Sequence, residues 1–570
     1  MPRPATLSPC EESHLLEVTG ATNRYPKVAK AARRVGVLRH DRLASLAAAT
    51  LWPVDAQRLA DEAELVLTSP ALGYGQKVRQ LASLATGALP YPALSEQARQ
   101  ALDERVICDM FEGHRPFTPR YVLPDYAKAL REGVRHLELE PPADLDDALS
   151  FLTVLYGHVP SVTTYPVYLG DLDSLLEPYV PDSLGDDELD AKLRRFWIQL
   201  DRLLPDAFVH ANLGPRDGRV VRSILRVERS LRQVVPNLTL KVDPALTPDD
   251  LVLDAVRTVF VTGKPHFANH PMMVADHGEE YAVVSCYNSL KVRGGAHSLV
   301  RLNLKEAVLR HTGGSQDFLD RALPGWVELT CELGEARIRS LVEDQGFYDH
   351  HFLAAEGLVD LDRFSLMFGV FGLAEATNLL LERDGGTGRY GHDARANALA
   401  LAITARLAEL VGRRPLPYCG GGGGYAYLHS QSGIDLDLDV TAGTRIPIGD
   451  EPAMREHIAV CAPHHRFFPA GISDIFHVDD TAVGNPQAMV DIIRGALAVG
   501  MRDFTFNLDS NEFIRITGYL VRKSDLVGID EHGARHSSDY LAATAEQNHT
   551  VTTRAVKRVT AVELSPAGRG

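Results

Sequence analysis

Cysteine is scarce in this sequence, and none of its six cysteines belongs to a Cys-x-x-Cys pair. This absence argues against a disulfide scaffold, a cysteine-rich zinc site and a cysteine-ligated iron–sulfur cluster. The pattern is typical of a protein from a reducing compartment, and we expect a cytoplasmic location.

Long apolar runs and an excess of positive charge are also missing. The sequence has no stretch of about 18 uninterrupted apolar residues, so we expect no membrane span. Glu11, Glu12 and His14 stand where a signal peptide needs an apolar core. The 59 Lys and Arg residues are outnumbered by 75 Asp and Glu residues, which gives a net charge of −16. A nucleic acid polymer or an anionic membrane is therefore not an expected partner.

The 570 residues are 45% hydrophobic, enough for one large core and a satellite domain. Residues 1–145 are rich in Ala, Leu and Arg with apolar residues three and four apart, which predicts an N-terminal helical region. Residues 146–530 alternate short apolar runs with helical segments and predict an α/β domain. Residues 531–570 are polar and irregular, and we expect a C-terminal extension there.

The α/β region contains seven predicted strands and four predicted helices. The strands are Ser161–Leu169, Asn237–Val242, Tyr281–Ser285, Ser298–Leu304, Asp435–Val440, Ile472–His477 and Arg502–Leu508. The helices are Asp190–Leu204, Pro248–Val261, Ala394–Val411 and Pro486–Val499, with Asn485 as the expected N-cap of the last.

A glycine late in the chain has an unusual setting. Gly518 follows an alternating segment within the sequence Arg515-Ile516-Thr517-Gly518-Tyr519. A glycine after a strand is often needed only to relieve backbone strain. This order of Arg, aliphatic, small, Gly and aromatic residues, however, resembles the radical signature of glycyl radical enzymes. Glycine suits an α-carbon radical because a planar centre leaves no room for a Cβ.

A cysteine in a loop strengthens that resemblance. The apolar segment Tyr281–Ser285 leads directly into Cys286, and the loop closes at Gly294-Gly295. A cytosolic cysteine is usually a buried structural residue, but loops on a rigid scaffold are where catalytic groups are placed. Together with the Gly518 segment it resembles the cysteine and glycine loops of glycyl radical enzymes over roughly residues 150–526. The sequence Ser285-Cys286-Tyr287-Asn288 is most similar to the YjjI family.

The resemblance implies a fold, a reaction type and a partner. The fold is a ten-stranded barrel of two five-stranded half-sheets surrounded by helices. A stable radical on Gly518 would form a thiyl radical on Cys286, which takes hydrogen from a small-molecule substrate. No permanently bound cofactor is implied, and the sequence has no Cys-x-x-x-Cys-x-x-Cys motif. A separate radical S-adenosylmethionine activase with an iron–sulfur cluster would therefore install the radical, and a homodimer is compatible with the resemblance.

Residues next to Cys286 argue against two chemistries known in this superfamily. Tyr287 follows Cys286, so the chain lacks the adjacent cysteine pair that carries acyl groups. Ser285 and Asn288 stand where eliminating members carry Gly and Glu. An amide cannot take a proton, so a general base has to come from elsewhere.

Six polar residues are candidates for the substrate pocket, although each also has a purely structural explanation such as packing or a paired buried charge. They are Asn269, His270, Asn288, Glu375, His429 and Asp474. We expect no metal ligands, because His464, His465 and Asp474 lack the spacing of known zinc sites.

Three functions remain open from the sequence. The first is hydrogen abstraction from a small hydroxylated or sugar-like substrate that starts C–O or C–C bond cleavage. The second is reduction of a nucleotide or nucleoside, because Arg301–Leu304 and Phe371–Glu375 are similar to anaerobic ribonucleotide reductases. The third is a radical-bearing accessory subunit or a relative that only binds a partner.

Overall fold

A computed structural model describes residues 56–70, 72–89, 91–109, 118–160, 167–203, 208–430, 440–516 and 519–528. The chain divides into two compact units, Met1–Glu64 and Leu65–Gly570, and both sheets lie in the second. Gly518, the predicted strand Asp435–Val440 up to residue 439 and the predicted extension lie outside the described residues. The domain limits at residues 145 and 530 stay predictions.

Two five-stranded sheets form the centre of the second unit. The strands of the first sheet are β1 Ile107–Asp109, β2 Tyr121–Leu123, β8 Gly294–Asn303, β9 Phe364–Phe371 and β10 Tyr427–Ser430. In this sheet β8, β9 and β10 run parallel, and β1 and β2 pair antiparallel with β8. Strands β1 and β2 come from the segment predicted to be helical.

The second sheet has the order β11-β12-β5-β4-β3. Its strands are β3 His210–Leu213, β4 Asn237–Val242, β5 His266–Asn269, β11 Ile475–Val478 and β12 Asp503–Leu508. Strands β3, β4 and β5 are parallel, and β12 runs antiparallel to β5 but parallel to β11. The half-sheet arrangement expected from the sequence is confirmed.

Two hairpins lie outside the sheets and contain the segments that the sequence singled out. The strands of the first are β6 Tyr281–Val284 and β7 Asn288–Lys291, and those of the second are β13 Phe513–Ile516 and β14 Tyr519–Arg522. Both pairs are antiparallel.

Helices surround the sheets, and within the described ranges none is long and apolar enough to cross a membrane. Their bounds are α1 Ala56–Thr68, α2 Tyr74–Gly87, α3 Glu96–Asp103, α4 Tyr126–Glu132, α5 Leu145–Gly157, α6 Leu172–Leu176, α7 Asp186–Leu203, α8 Arg219–Leu231, α9 Asp249–Thr262, α10 His270–His277, α11 Leu304–Leu309, α12 Ser315–Asp317, α13 Leu323–Arg339, α14 Phe347–His350, α15 Phe352–Ala355, α16 Leu373–Arg383, α17 Ala394–Val411, α18 Met454–His465, α19 Thr481–Gly484, α20 Pro486–Ala498 and α21 Lys523–Val527.

The four predicted helices are present as α7, α9, α17 and α20, with ends shifted by at most four residues. The side chain of Asn485 makes no capping hydrogen bond, although Asn485 does precede α20. Residues 167–169, the described part of the predicted strand Ser161–Leu169, are not in a strand. Strand β8 begins at Gly294, four residues before the predicted start.

Strands β4 and β12 of the second sheet are buried on both faces, yet they alternate in polarity. All six residues of β4 and of β12 are buried. Successive side chains of a strand point to opposite faces. One face of β12 therefore carries Phe504, Phe506 and Leu508, which share a core cluster with the outer helices. The opposite face is polar and faces the space between the sheets.

Candidate active site

Cys286 lies in the tight turn of the first hairpin. Ser285, Cys286 and Tyr287 connect β6 to β7, and the Tyr287 N–H donates to the Val284 carbonyl at 3.3 Å. Ser285 has φ 54° and Tyr287 has φ 110°, values that non-glycine residues rarely adopt. Strained backbone of this kind is concentrated at functional sites. The Cys286 side chain is only partly buried, and its sulfur lies 3.5 Å from the Ser285 hydroxyl.

Polar side chains of the second sheet hold this hairpin. The Asn212 amide accepts from the Val283 N–H at 2.8 Å and donates to the Val283 carbonyl at 2.6 Å. His210 Nδ1 donates to the Ser285 carbonyl at 3.0 Å, and Asn237 Nδ2 donates to the same oxygen at 3.4 Å. The peptide that precedes Cys286 is thus fixed by two donors from β3 and β4.

The other side of the hairpin contacts the first sheet and the segment after β10. Asn288 Nδ2 donates to the Tyr121 hydroxyl of β2 at 3.1 Å. The Ser289 N–H donates to the Ala470 carbonyl at 3.2 Å. Gly471, with φ 119°, lies so close to the Tyr287 carbonyl that a Cβ there would overlap the oxygen. The hairpin therefore lies between the two sheets.

Arg515 links the Gly518 segment to the first hairpin, which contains Cys286. It is fully buried on β13, three residues before Gly518. Its N–H donates to Asn507 Oδ1 at 2.9 Å, and Asn507 Nδ2 donates to its carbonyl at 3.0 Å. Its guanidinium donates from Nη2 to Asn237 Oδ1 at 2.8 Å and lies 5.8 Å from the Tyr287 ring centre. One buried side chain thus connects both segments on which the family resemblance rests.

A hydrogen-bonded chain crosses the polar face of the second sheet. Because His210 Nδ1 donates to a carbonyl, its Nε2 accepts from the Thr239 hydroxyl at 2.6 Å. Thr239 Oγ1 then accepts from His266 Nε2 at 2.8 Å. The same His266 nitrogen lies 3.2 Å from Asp503 Oδ2, and the His266 ring meets the Tyr287 ring edge-on.

Burial controls the protonation of these groups. Desolvation raises the pKa of Cys286, and the Ser285 hydrogen bond and the nearby Arg120 oppose it only in part. Desolvation also raises the pKa of Asp503 well above its ordinary range. It lowers the pKa of His210 to about 3 and that of His266 well below its ordinary value. Burial therefore favours the neutral form of the thiol, of the carboxyl and of both imidazoles.

Several buried polar atoms near Cys286 have no hydrogen-bond partner among the described residues. They are Tyr287 Oη, Asn288 Oδ1, both carboxyl oxygens of Asp503, His266 Nδ1, and Nε and Nη1 of Arg515. Buried polar groups are normally paired. A set of both donors and acceptors left unpaired beside a strained cysteine turn is typical of a site that binds a polar ligand.

The six pocket candidates from the sequence are not all at this site. Asn288 is, because it is the first residue of β7. Asn269 instead caps α10 and donates to the Leu497 and Met501 carbonyls. It follows His266 by three residues, which is about 10 Å along β5. His270 bonds the Tyr281 hydroxyl, at the far end of β6 from Cys286.

The other three candidates have contacts outside the cysteine hairpin. Glu375 on α16 accepts from the Thr441 N–H at 3.1 Å, and no described contact joins it to the hairpin. His429 is buried on β10 opposite Gly369. Asp474 lies 3.4 Å from His465 and 3.5 Å from His457. It follows Gly471, which contacts Tyr287, by three residues.

Sequence reasoning missed Asp503 as a pocket residue, and it gave Arg515 no role beyond the radical signature. The available signal was the polar half of the alternation in β12, where Asp503, Thr505 and Asn507 occupy one face. The same alternation places Asn237 and Thr239 on one face of β4. When strands buried inside a barrel carry polar side chains along one face, that face is expected to line a cavity.

Comparison with known families agrees with this geometry. Residues 72–557 match the family model described as "Glycyl radical enzyme YjjI-like". The chain is a member of this family. Protein YjjI of Escherichia coli (strain K12) is 48% identical over 498 residues, which span 87% of this chain and 96% of that protein. A Haemophilus influenzae protein is 38% identical over 428 residues, covering 75% of this chain and 82% of that protein.

Solved structures of other glycyl radical enzymes share the fold of this YjjI-like chain. An Archaeoglobus fulgidus glycyl radical enzyme has a TM-score of 0.62 at 12% identity, covering 87% of this chain and 90% of that one. Hydroxyproline dehydratase from Clostridioides difficile has a TM-score of 0.61 at 11% identity, with 81% and 86% covered. An anaerobic ribonucleotide reductase from Thermotoga maritima has a TM-score of 0.59 at 12% identity, with 92% and 100% covered. At these identities the likeness establishes the fold alone.

Proposed function

We propose that this chain uses a radical on Gly518 to form a thiyl radical on Cys286, which starts C–O bond cleavage in a small hydroxylated substrate. The observation that carries this proposal is the set of unpartnered buried polar atoms around Cys286. The carboxyl oxygens of Asp503 suit hydroxyl groups of a substrate, and Arg515 and Tyr287 supply donors for its oxygens.

The hydrogen-atom steps involve only Gly518, Cys286 and the substrate. The Gly518 α-carbon radical takes the hydrogen of the Cys286 S–H, and the thiyl radical then takes hydrogen from a substrate C–H next to a hydroxyl. Hydrogen-atom transfer needs the thiol rather than the thiolate. The raised pKa of Cys286 supports this role, because it keeps the S–H intact at neutral pH.

The proton steps fall to Asp503. In its neutral form, one carboxyl oxygen gives a proton to the hydroxyl that leaves as water, and the other accepts the proton of the hydroxyl on the radical carbon. The radical carbon becomes a carbonyl carbon, and the unpaired electron moves to the neighbouring carbon that lost the hydroxyl. That carbon then recovers hydrogen from Cys286. A diol is thereby converted to a carbonyl compound and water, with no external oxidant or reductant. Eliminating members of the superfamily carry a Glu at the position of Asn288, and Asp503 would take over the role of that Glu in this chain.

A separate radical S-adenosylmethionine activase with an iron–sulfur cluster is the proposed source of the radical. The test is electron paramagnetic resonance after anaerobic treatment with activase, reductant and S-adenosylmethionine. We expect a glycine-centred doublet in the wild-type chain and none in Gly518→Ala. The same doublet in Gly518→Ala would remove the basis of the proposal.

Reduction of a nucleotide or nucleoside is the second candidate function. It is favoured by the similarity of Arg301–Leu304 and Phe371–Glu375 to anaerobic ribonucleotide reductases. Such a reaction needs an external reductant, whereas elimination of water does not. A nucleotide ligand should stabilise the folded chain by mass action, so thermal shift with nucleoside triphosphates discriminates between the two functions. An unchanged melting temperature with every nucleotide counts against reduction and leaves elimination in place.

A further inference from the structure

A second cluster of buried side chains lies outside the Cys286 site, between α18 and the start of β11. His457 and Cys461 are four residues apart on α18, which places them on the same helix face. Asp474 immediately precedes β11. One nitrogen, one sulfur and one carboxyl oxygen from these three buried residues lie within 4.8 Å of one another.

Two atoms of this cluster lack the partners that buried polar atoms normally have. His457 Nε2 and Asp474 Oδ1 face each other at 3.5 Å, the upper limit for a hydrogen bond, and neither makes a hydrogen bond of good geometry with any described residue. Their residues are 5% and 1% exposed, so bulk water does not solvate them. Unsatisfied nitrogen and oxygen atoms that converge in this way indicate a missing ligand.

A neighbouring histidine orients the carboxylate. His465 Nδ1 accepts from the Arg502 N–H at 2.9 Å, so the proton of the neutral ring is on Nε2. That Nε2 faces Asp474 Oδ2 at 3.4 Å, which leaves Oδ1 on the side of His457. A carboxylate with one oxygen held by such a donor is the usual arrangement around a protein-bound metal ion.

We propose that His457, Cys461 and Asp474 bind a zinc-like divalent metal ion. Imidazole, thiolate and carboxylate are the donor types of zinc sites. The Cys461 thiol donates to the His457 carbonyl at 3.0 Å and would release its proton to solvent on metal binding. With a neutral imidazole, one thiolate and one carboxylate, the charges of ligands and ion then sum to zero, which suits a buried site. Zinc-bound atoms lie about 3.5 Å apart in tetrahedral sites, so a small side-chain rotation from the observed spacing is sufficient.

The proposed site lies next to the segment that borders the cysteine turn. Three protein ligands leave one of four coordination positions for water or another ligand. Gly471 and Ser473, just before Asp474, contact the Tyr287 carbonyl and the Arg445 side chain. A bound ion would therefore fix the segment that borders the cysteine turn. The proposal is independent of the Gly518 radical, and it departs from the expectation that the sequence contains no metal ligands.

The experiment uses the full-length chain in a Cys286→Ser background, so that neither the reactive thiol nor radical chemistry contributes. The metal-free protein is titrated anaerobically with Co²⁺, and the thiolate-to-cobalt charge-transfer absorption is recorded. We expect the band to saturate at one equivalent of Co²⁺. Cys461→Ser should abolish the band and His457→Gln should weaken binding at least tenfold. Cys331→Ser, which replaces another buried cysteine on α13, is the matched control and should change nothing.

A thermal measurement covers the case in which Cys461→Ser does not fold. Zn²⁺ should raise the melting temperature of the Cys286→Ser chain and not that of His457→Gln. His465→Gln should lower Co²⁺ affinity by about 10- to 100-fold through the loss of its support for Asp474. Absence of Co²⁺ uptake, or an equal thermal shift in His457→Gln, would overturn the proposal without bearing on the radical function.

Discussion

At the scale of single residues, burial favours the uncharged form of the ionisable groups near Cys286. Burial raises the pKa of Cys286 and of Asp503 and lowers that of His210. Neutral groups are what hydrogen-atom transfer and a proton shuttle require, whereas a nucleophilic cysteine would need a lowered pKa. The raised thiol pKa is unfavourable for thiolate chemistry at Cys286 and suits the hydrogen-atom transfer proposed for it.

Cys286→Ser should separate radical storage from hydrogen transfer. The S–H hydrogen exchanges with solvent, so reversible transfer between Cys286 and Gly518 in D₂O places deuterium on the glycine. The Gly518 doublet of the wild-type chain should then collapse to a singlet. In Cys286→Ser the doublet should form and remain split, whereas Cys331→Ser should behave as wild type. Collapse in Cys286→Ser would show that another group exchanges the glycine hydrogen.

Asp503→Asn should change how stability depends on pH. Burial raises the pKa of Asp503 in the folded chain well above its ordinary value, whereas the unfolded chain loses the proton near that ordinary value. The folded state then binds more protons, so the free energy of unfolding falls as pH rises through this window. Chemical denaturation at about pH 5 and pH 8 should show a smaller loss in Asp503→Asn than in wild type. Parallel losses would mean that Asp503 is ionised in the folded chain.

Cys286 and Gly518 could be proposed from the sequence because each stands in a short local motif. Asp503 could not be assigned to the site in that way. Its position beside His266 depends on the antiparallel pairing of β12 with β5, which joins residues more than two hundred positions apart. Asn269 and His270 were predicted at the pocket because they precede the cysteine strand, but strand direction carries them away from Cys286.

At the scale of elements, the cysteine hairpin is positioned by side chains rather than by membership of a sheet. Asn212 acts as a neighbouring strand would, pairing with both the N–H and the carbonyl of Val283. On the opposite side, the Tyr287 carbonyl lies close to Gly471, which is possible because Gly471 has no Cβ. The turn is therefore held from both sheets, which explains how positive φ values at Ser285 and Tyr287 are maintained.

Asn212→Ala should destabilise the chain by about 2–4 kcal/mol, because two buried backbone groups of Val283 lose their partners. Asn212→Asp keeps an acceptor for the Val283 N–H but places a buried carboxylate oxygen against the Val283 carbonyl, so we expect a larger loss. Equilibrium unfolding of the two variants, followed in the same denaturant, checks the order. Equal stabilities for Asn212→Ala and wild type would mean that water replaces the amide without cost.

Gly471→Ala should impair the reaction. A Cβ at Gly471 would meet the Tyr287 carbonyl, and φ 119° is unfavourable for alanine. Displacement of Tyr287 should reduce the deuterium exchange of the Gly518 radical. Gly495→Ala on α20 is the control, since nothing lies within 4 Å of its added Cβ, and it should stabilise the chain by about 0.5–1 kcal/mol. Undiminished exchange in Gly471→Ala contradicts this role.

At the scale of the whole molecule, the alternation of strands and helices was sufficient to predict an α/β architecture. The predicted strands Asn237–Val242 and Arg502–Leu508 correspond to β4 and β12. The closure into two half-sheets came only from the family resemblance, because pairing between distant strands has no local pattern. Strands β1 and β2 went unpredicted since three residues give too short a period to detect.

Brief exposure of the activated chain to oxygen should cut it at Gly518. The cut separates the last 52 residues (570 − 518) from the rest, a change that denaturing electrophoresis and mass spectrometry resolve. Gly518→Ala treated in the same way should stay intact. An uncut wild-type chain that had displayed the doublet would place the radical elsewhere.

The bond from Arg515 to Asn237 has a consequence for timing. If β13 withdraws so that an activase can reach Gly518, Arg515 leaves with it. Asn237 then loses the guanidinium that orients it against the Ser285 peptide. The cysteine turn would be fully braced only when the glycine segment has returned. The radical would then be formed on Gly518 in one conformation and transferred to Cys286 in another. A thiyl radical could therefore not form while the barrel is open.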